Sequence, residues 1–425
     1  MSELLLHRKR LYHVGNLSIF MIGLGFAVRA NIASNLQEDI YDKIDLANSA
    51  ALVGEALSAT FMGFALTLLF GSALVDLIGM KRMLLLSALG YIAGAVGLVF
   101  ATTMAINSSV ETVIWVSLLL TGLGWGAVEA ASNPMVAALY PEEKTHRLNI
   151  LHAWWPAGIV VGGLMGFTIT RVGLPWELNM FVLLLPALAL AWMVSRATFP
   201  VTERVAAGVS YGQMFSELLK RPLFWVFWVC MFFTATAELA PGQWVNIALS
   251  HIVGMQGILL LVYVSALMFV MRHFAGPIVA HISPIGLMFV SCLAAGIGLY
   301  LLSLADTPAL AFGAATVWGI GVCYLWPTML AITSERFPRG GAMALGLMGF
   351  AGGMAIKFVL PQMGAIFDTA KAQAAGGADQ LATLSPQAMQ EVLRYASVES
   401  FQSVAIVPLL LLPVFGLIWL FDRRK

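Results

Sequence analysis

Charge is what this chain has least of. Of its 425 residues, 11% are Asp, Glu, Lys or Arg, while 60% are hydrophobic. Soluble globular chains carry about 25% charged and roughly 45–50% apolar residues. The imbalance excludes an ordinary soluble domain and fits an all-α integral membrane protein, because helices satisfy their own backbone polar groups in lipid. Net charge is +1, so a nucleic-acid partner has no electrostatic basis. Cysteine is scarce as well. Cys230, Cys292 and Cys323 lie in apolar runs with no ligand-like spacing, which reads as three small buried residues rather than a disulfide or metal framework. Catalytic patterns are missing: there is no His-Glu metal spacing, no Ser or Cys with an ordered base, and no phosphate-cradling glycine loop. The chain is therefore not expected to be an enzyme, nor to carry a cofactor or a metal. No loop is long enough to hold a sizeable sensor domain. His7-Arg8-Lys9-Arg10 precedes an apolar run too long for a signal peptide, so no cleaved leader is expected.

What is abundant is long apolar runs. A spanning helix needs about 20 of these residues, and twelve runs qualify, from 11–33 through 404–421. An even number puts both termini on one side. Sixteen of the 23 Lys and Arg residues fall in loops or termini on that side, four fall on the other, and Arg29, Arg272 and Lys357 lie inside helices. The bias places both termini in the cytoplasm and the protein in the cell's inner (plasma) membrane. The longest cytoplasmic stretch divides the chain into a first six-helix bundle (1–196), a linker (197–221) and a second six-helix bundle (222–425). Duplicated transporters have this layout, with a solute site near the midplane. Residues 368–403 read as an outer surface loop holding one short helix at 386–395. The partners implied are a small-molecule solute and the lipid bilayer, with the protein a monomer.

The chain is organised around residues 121–163, where two apolar segments flank a charged hinge, Pro141 to Arg147. The first segment holds Glu129 and, one turn later, Asn133 and Pro134; the second holds His152, Trp154, Trp155 and the small-residue face Gly158, Gly162 and Gly166. An ionisable group inside a membrane-length run costs several kcal/mol unless it faces protein or water. Glu129 and Glu238 are thus the candidate proton carriers, with His152 as a possible relay. Depth counted at 1.5 Å per residue puts Arg29 and Glu55 at one level on successive helices, a candidate ion pair and outer gate. Glu238 and Lys357 share another level and either pair across the second bundle or separately face a central wet cleft. Glu129 and Asn133 also offer oxygen ligands, so sodium stands beside the proton as coupling ion.

The loop from Ser72 to Arg82 resembles the signature of the major facilitator superfamily, G-x-L-x-D-R-x-G-R-K. Leu74, Asp76, Gly79 and Lys81 match; Ser72, Leu77 and Met80 depart. The resemblance implies that this loop latches two six-helix halves on the cytoplasmic side. A second resemblance covers nearly the whole chain. Glu129-Ala-Ala-Ser-Asn133-Pro134, Glu238 followed by Gln243-Trp244, Arg272, and Trp326-Pro327-Thr328 look like the fourth, seventh, eighth and tenth helices of fucose–proton symporters and related sugar permeases. It implies a proton-coupled sugar or sugar-like symporter working by alternating access. Arg29, Glu129, Asn133, Trp155, Glu238, Gln243 and Lys357 would contact the solute. Glu55, Asp76, Gly79, Lys81, Arg82 and Arg272 would gate or brace the fold. Arg29 stands where those symporters carry an acid, and Lys357 adds a further cation. Both raise an alternative, an anionic solute such as a sugar acid. A third variant, an exporter of amphipathic compounds, rests on the 22 methionines.

Overall fold

In a computed structural model the chain is described at every residue except 1, 141–143, 203, 204, 206, 207, 209, 275–280, 424 and 425. The centre of the expected charged hinge, 141–143, and the counted cations Arg204, Arg424 and Lys425 lie outside the described residues. The long helices are α1 (Ser2–Leu36), α2 (Ser49–Ile78), α3 (Met80–Thr102), α4 (Ser108–Leu139), α5 (Lys144–Val172) and α6 (Leu178–Ser195). A short helix, α7 (Tyr211–Leu219), is followed by α8 (Pro222–Val253), α9 (Ile258–Arg272) and α10 (Pro284–Ser303). Then come α11 (Pro308–Val322), α12 (Leu325–Arg336), α13 (Gly341–Ala374), α14 (Pro386–Leu409) and α15 (Leu412–Asp422). Taking α11 with α12 and α14 with α15, eleven of the described helical segments are long and apolar enough to cross a membrane, and α9 is a shorter apolar helix.

Three expected boundaries shift. The eighth span ends at Arg272 rather than at His281. The tenth is broken at Cys323–Tyr324. The outer segment 368–403 is not a loop: α13 runs on to Ala374, and α14 begins at Pro386 and continues into the last span. Ser385 caps α14 by accepting from Ala388 N at 3.3 Å, and Pro386 at the first helical position needs no N–H partner.

The spans form two bundles of six. In the first, α4 packs on α2 and α3, and α1 packs on α5. Close approach needs small residues, and the predicted glycine face supplies them. A Cβ on Gly158 would lie 2.1 Å from Phe20 O, and one on Gly162 would lie 2.9 Å from Leu24 O. In the second bundle, α10 packs on α11 and α14, and α8 packs on α13 and α14. The bundles meet mainly along α2 with α13, α5 with α9, and α1 with α8. The α2–α13 seam runs the length of both helices. Gly364 takes Ala50 O at the face away from the termini, and Gly346 takes Ser72 near the terminal face. On the far face Asp368 Oδ2 accepts from Ala51 N at 2.8 Å. A carboxylate of the second bundle thus caps a helix of the first, where an anion is favoured by the exposed N–H groups and the helix dipole.

Candidate functional site

The site is built on the break between α11 and α12. Ending one helix at Val322 and starting the next at Leu325 frees backbone groups deep in the bundle, and such groups must find partners in lipid. Cys323 O accepts from Arg272 Nε at 3.2 Å, and Trp326 N donates to Glu238 Oε2 at 3.2 Å. Arg272 Nη2 meets Glu238 Oε1 at 3.4 Å, with both side chains buried. Glu238 and Arg272 therefore hold each other and the two ends of the break. Arg272 also reaches across to the first bundle: Nη1 donates to His152 O at 3.4 Å, and the guanidinium lies over the Trp155 ring at 5.9 Å.

On the first bundle's side a polar chain begins at Glu129. Its Oε2 accepts from Asn133 Nδ2 at 2.8 Å, a bond between side chains one turn apart on α4. Asn133 Oδ1 lies 3.0 Å from His152 Nε2 on α5. All three side chains are half-buried. The sequence thus named every side chain of this chain, and the structure brings them together: Glu129, Asn133 and His152, then through the His152 carbonyl to Arg272 and Glu238.

Neither candidate interior ion pair forms among the described residues. Arg29 does not pair with Glu55, and Glu238 does not pair with Lys357. Glu55 instead pairs with Lys357 across the two bundles, with Ser58 also accepting from Lys357 at 3.2 Å and Trp115 Nε1 donating to Glu55 at 3.3 Å. Lys357 is thereby turned from the predicted solute contact to the α2–α13 seam. Equal depth did not predict facing: Arg29 lies over the Trp125 ring of α4, and Phe26, one turn earlier on α1, meets both Trp125 and Phe61 of α2. Gln243, predicted to touch solute, is fully buried and ties α8 to α1 by donating to Phe26 O at 3.0 Å.

Asp76 accepts from the Thr202 hydroxyl, and Lys81 Nζ donates to Ser195 O at 2.8 Å. The signature loop is thus fastened to the last carbonyl of α6 and to the segment that follows it. Gly79 has φ +88°, a backbone that needs glycine. Arg82 is exposed.

Between the bundles, Phe26, Trp155 and Ile159 face Glu238, Met268 and Trp318 around a cavity of about 10 Å³. That is near the lower limit for one water molecule. The wide wet cleft expected from the sequence is closed in this state. Aromatic interlocking closes it: Phe26 meets Trp155 at 5.3 Å, Phe61 meets Trp125 at 5.4 Å, and Phe64 meets both Trp125 and Trp326. The helix break and the Trp326 N–H were missed from sequence, although Gly321 and Pro327 flank the break and are its visible signal.

A D-xylose–proton symporter superposes with TM-score 0.72 at 15% identity, covering 94% of this chain and 97% of that one. A nucleoside transporter, NupG, gives 0.70 at 12%, covering 96% and 98%. The human organic anion transporter MFSD10 gives 0.65 at 14%, covering 96% and 99%. No curated protein matches. Residues 16–357 match the profile of the Major Facilitator Superfamily. Apolar spans in two bundles, a broken helix at the centre and a match over most of the chain lead to one conclusion: this is a multi-pass membrane transporter of the alternating-access type, and it belongs to the Major Facilitator Superfamily.

Proposed function

We propose that the protein is a proton-coupled carrier of a sugar-like solute, with its termini in the cytoplasm, and that Glu129 carries the proton. The observation behind this reading is the chain Glu129–Asn133–His152. Glu129 is half-buried, has a single uncharged hydrogen-bond partner and has no adjoining cation in an ion pair among the described residues. The reading requires a carboxyl whose surroundings alternate between wet and dry, since desolvation favours the neutral form and water the ionised one. Glu238 is held differently. Arg272 and the Trp326 N–H each hold one of its oxygens, so in this reading it braces the broken helix and borders the cavity. Opening toward the far face requires α2 and α13 to part there, which breaks Glu55–Lys357 and the Asp368 cap on Ala51. Those contacts are the outer gate in this reading. A D-xylose–proton symporter is among the structures of similar fold, which supports a sugar-like solute and the proton.

The test is uptake into proteoliposomes across a panel of sugars and sugar acids, with and without an inward-acid pH gradient. The reading expects accumulation only with the gradient, and its loss in Glu129→Gln while solute exchange without a gradient continues. Accumulation that ignores the pH gradient but follows a sodium gradient would overturn proton coupling.

A further inference from the structure

Three cations lie inside the spans, and the structure compensates two of them. Lys357 has Glu55, and Arg272 has Glu238 with two backbone carbonyls. Arg29 is only 2% exposed, yet Nε, Nη1 and Nη2 all lack a hydrogen-bond acceptor among the described residues. Two further buried donors sit beside it in the same condition. The Tyr91 hydroxyl on α3 and the Trp125 indole N–H on α4 are also without partners. The first converges with Arg29 on one point: an ideal Cβ on Gly25 would lie 3.3 Å from Tyr91 Oη and 3.4 Å from Arg29 Nη1. Trp125 offers the guanidinium its ring face at 5.4 Å. A cation–π contact of this kind returns about 2 kcal/mol at best. An uncompensated buried charge costs more than that. Only the Tyr91 hydroxyl, a neutral oxygen that can accept, faces the guanidinium; no carboxylate pairs with Arg29 among the described residues, and the missing part is an anion.

We propose that Arg29, Tyr91 and Trp125 form the recognition site for the carboxylate of a monoanionic organic solute, so that the carried molecule is an acid rather than a neutral sugar. This rests on the carrier reading above and narrows its solute class. One guanidinium matches one carboxylate bidentately. A phosphate dianion would call for a second cation, and Lys357 and Arg272 are both committed elsewhere. Phe26, Phe61 and Trp125 pack on one another, with Trp125 under Arg29; parting these rings would give the body of the solute an apolar, flat-faced surface beside the guanidinium. Glu129 lies on α4 one turn from Trp125, about 6 Å along the helix axis. The acid group and the proton therefore bind close together, and one carboxylate moving with one proton carries no net charge.

The experiment measures thermal stability of the purified protein in nanodiscs with matched pairs at millimolar concentration: D-glucuronate against D-glucose, D-gluconate against D-sorbitol, and cyclohexanecarboxylate against cyclohexanol, with D-glucose 6-phosphate as a separate arm. At least one acid is expected to raise Tm by about 5 °C when its concentration is about 100-fold above Kd, with its neutral partner silent. Arg29→Gln removes that shift and, without ligand, melts no lower than wild type. Arg29→Lys, which keeps the charge, retains part of it. Equal shifts from acid and neutral partners, no shift from any acid, a shift that survives Arg29→Gln, a ligand-free Arg29→Gln that melts several degrees lower, or stabilisation by the phosphate arm alone would each overturn the proposal. Proteoliposomes separate this result from the carrier reading. Acid binding that needs Arg29 without any transport leaves the site standing and removes the carrier. Transport of neutral sugars that is unchanged in Arg29→Gln does the reverse.

Discussion

Glu129 and Glu238 are both membrane carboxylates near the bundle interface, yet their surroundings differ in kind. Glu238 is 6% exposed and has an arginine and a backbone N–H on its two oxygens. Glu129 is half-buried, with one amide N–H as its partner. The first is anchored by a helix that had to break to supply that N–H; the second sits on an intact helix beside a histidine. A buried ion pair with a donor on each oxygen is stiff, and removing one member leaves the other without its partner. A carboxylate held by a neutral amide can lose its charge at little structural cost. In the proposed reading the first is structural and the second carries the proton.

The strongest way to break this contrast is Arg272→Met. It strands Glu238 as a buried anion, so stability should fall by about 3–5 kcal/mol, read as a large drop in Tm. Adding Glu238→Gln should restore much of it. A single variant as stable as wild type would show that Glu238 is not anchored as described. Glu129→Gln should move Tm far less, within about 1 kcal/mol, while abolishing uphill uptake. A variant that unfolds would place Glu129 among the structural carboxylates.

Smaller effects sharpen the comparison at the far face. Glu55 is 46% exposed at its side chain, so its pair with Lys357 is screened and Glu55→Gln should cost under about 1 kcal/mol. Its effect should appear in populations instead. Spin labels on the far ends of α2 and α13 should report more of the separated state in this variant. An unchanged distance distribution would remove the pair from the gate. The smallest expected effect is at Asp45, before α2. The Asn48 side chain first, then the Asn48 and Ala47 backbone N–H groups, hold its carboxyl below the usual carboxylate range. A folded-state pKa lowered in this way contributes stability above the unfolded value near 3.9 and loses it as pH falls through the folded value. Asp45→Asn should therefore shift Tm slightly at neutral pH and not at all at strongly acidic pH. Equal shifts at both would show that the effect is not one of charge.

Much of this was legible in the residues. The spans followed from the length of apolar runs, and Glu129, Asn133 and His152 stood out as polar groups at helical spacing on successive spans. Which charges pair was not legible. Arg29 and Glu55 share a depth, but depth fixes height and says nothing about azimuth. The true partner of Glu55 lies 302 residues away, across a seam that exists only once the two bundles pack. The break at Cys323 left only Gly321 and Pro327 as signals, and neither shows that Arg272 and Glu238 will answer the freed backbone groups. The length of α14 was hidden because its first turns, from Pro386, are too polar to resemble a membrane helix.

Infrared difference spectroscopy of the protein in lipid, titrated from neutral to acidic pH, tests the contrast between the two carboxylates most directly. A protonated buried carboxyl has its own C=O stretch, and one such band should grow in wild type as pH falls. It should vanish in Glu129→Gln and persist in Glu238→Gln. A band that survives Glu129→Gln and disappears in Glu238→Gln would assign the proton to the arginine-held carboxylate and contradict the account.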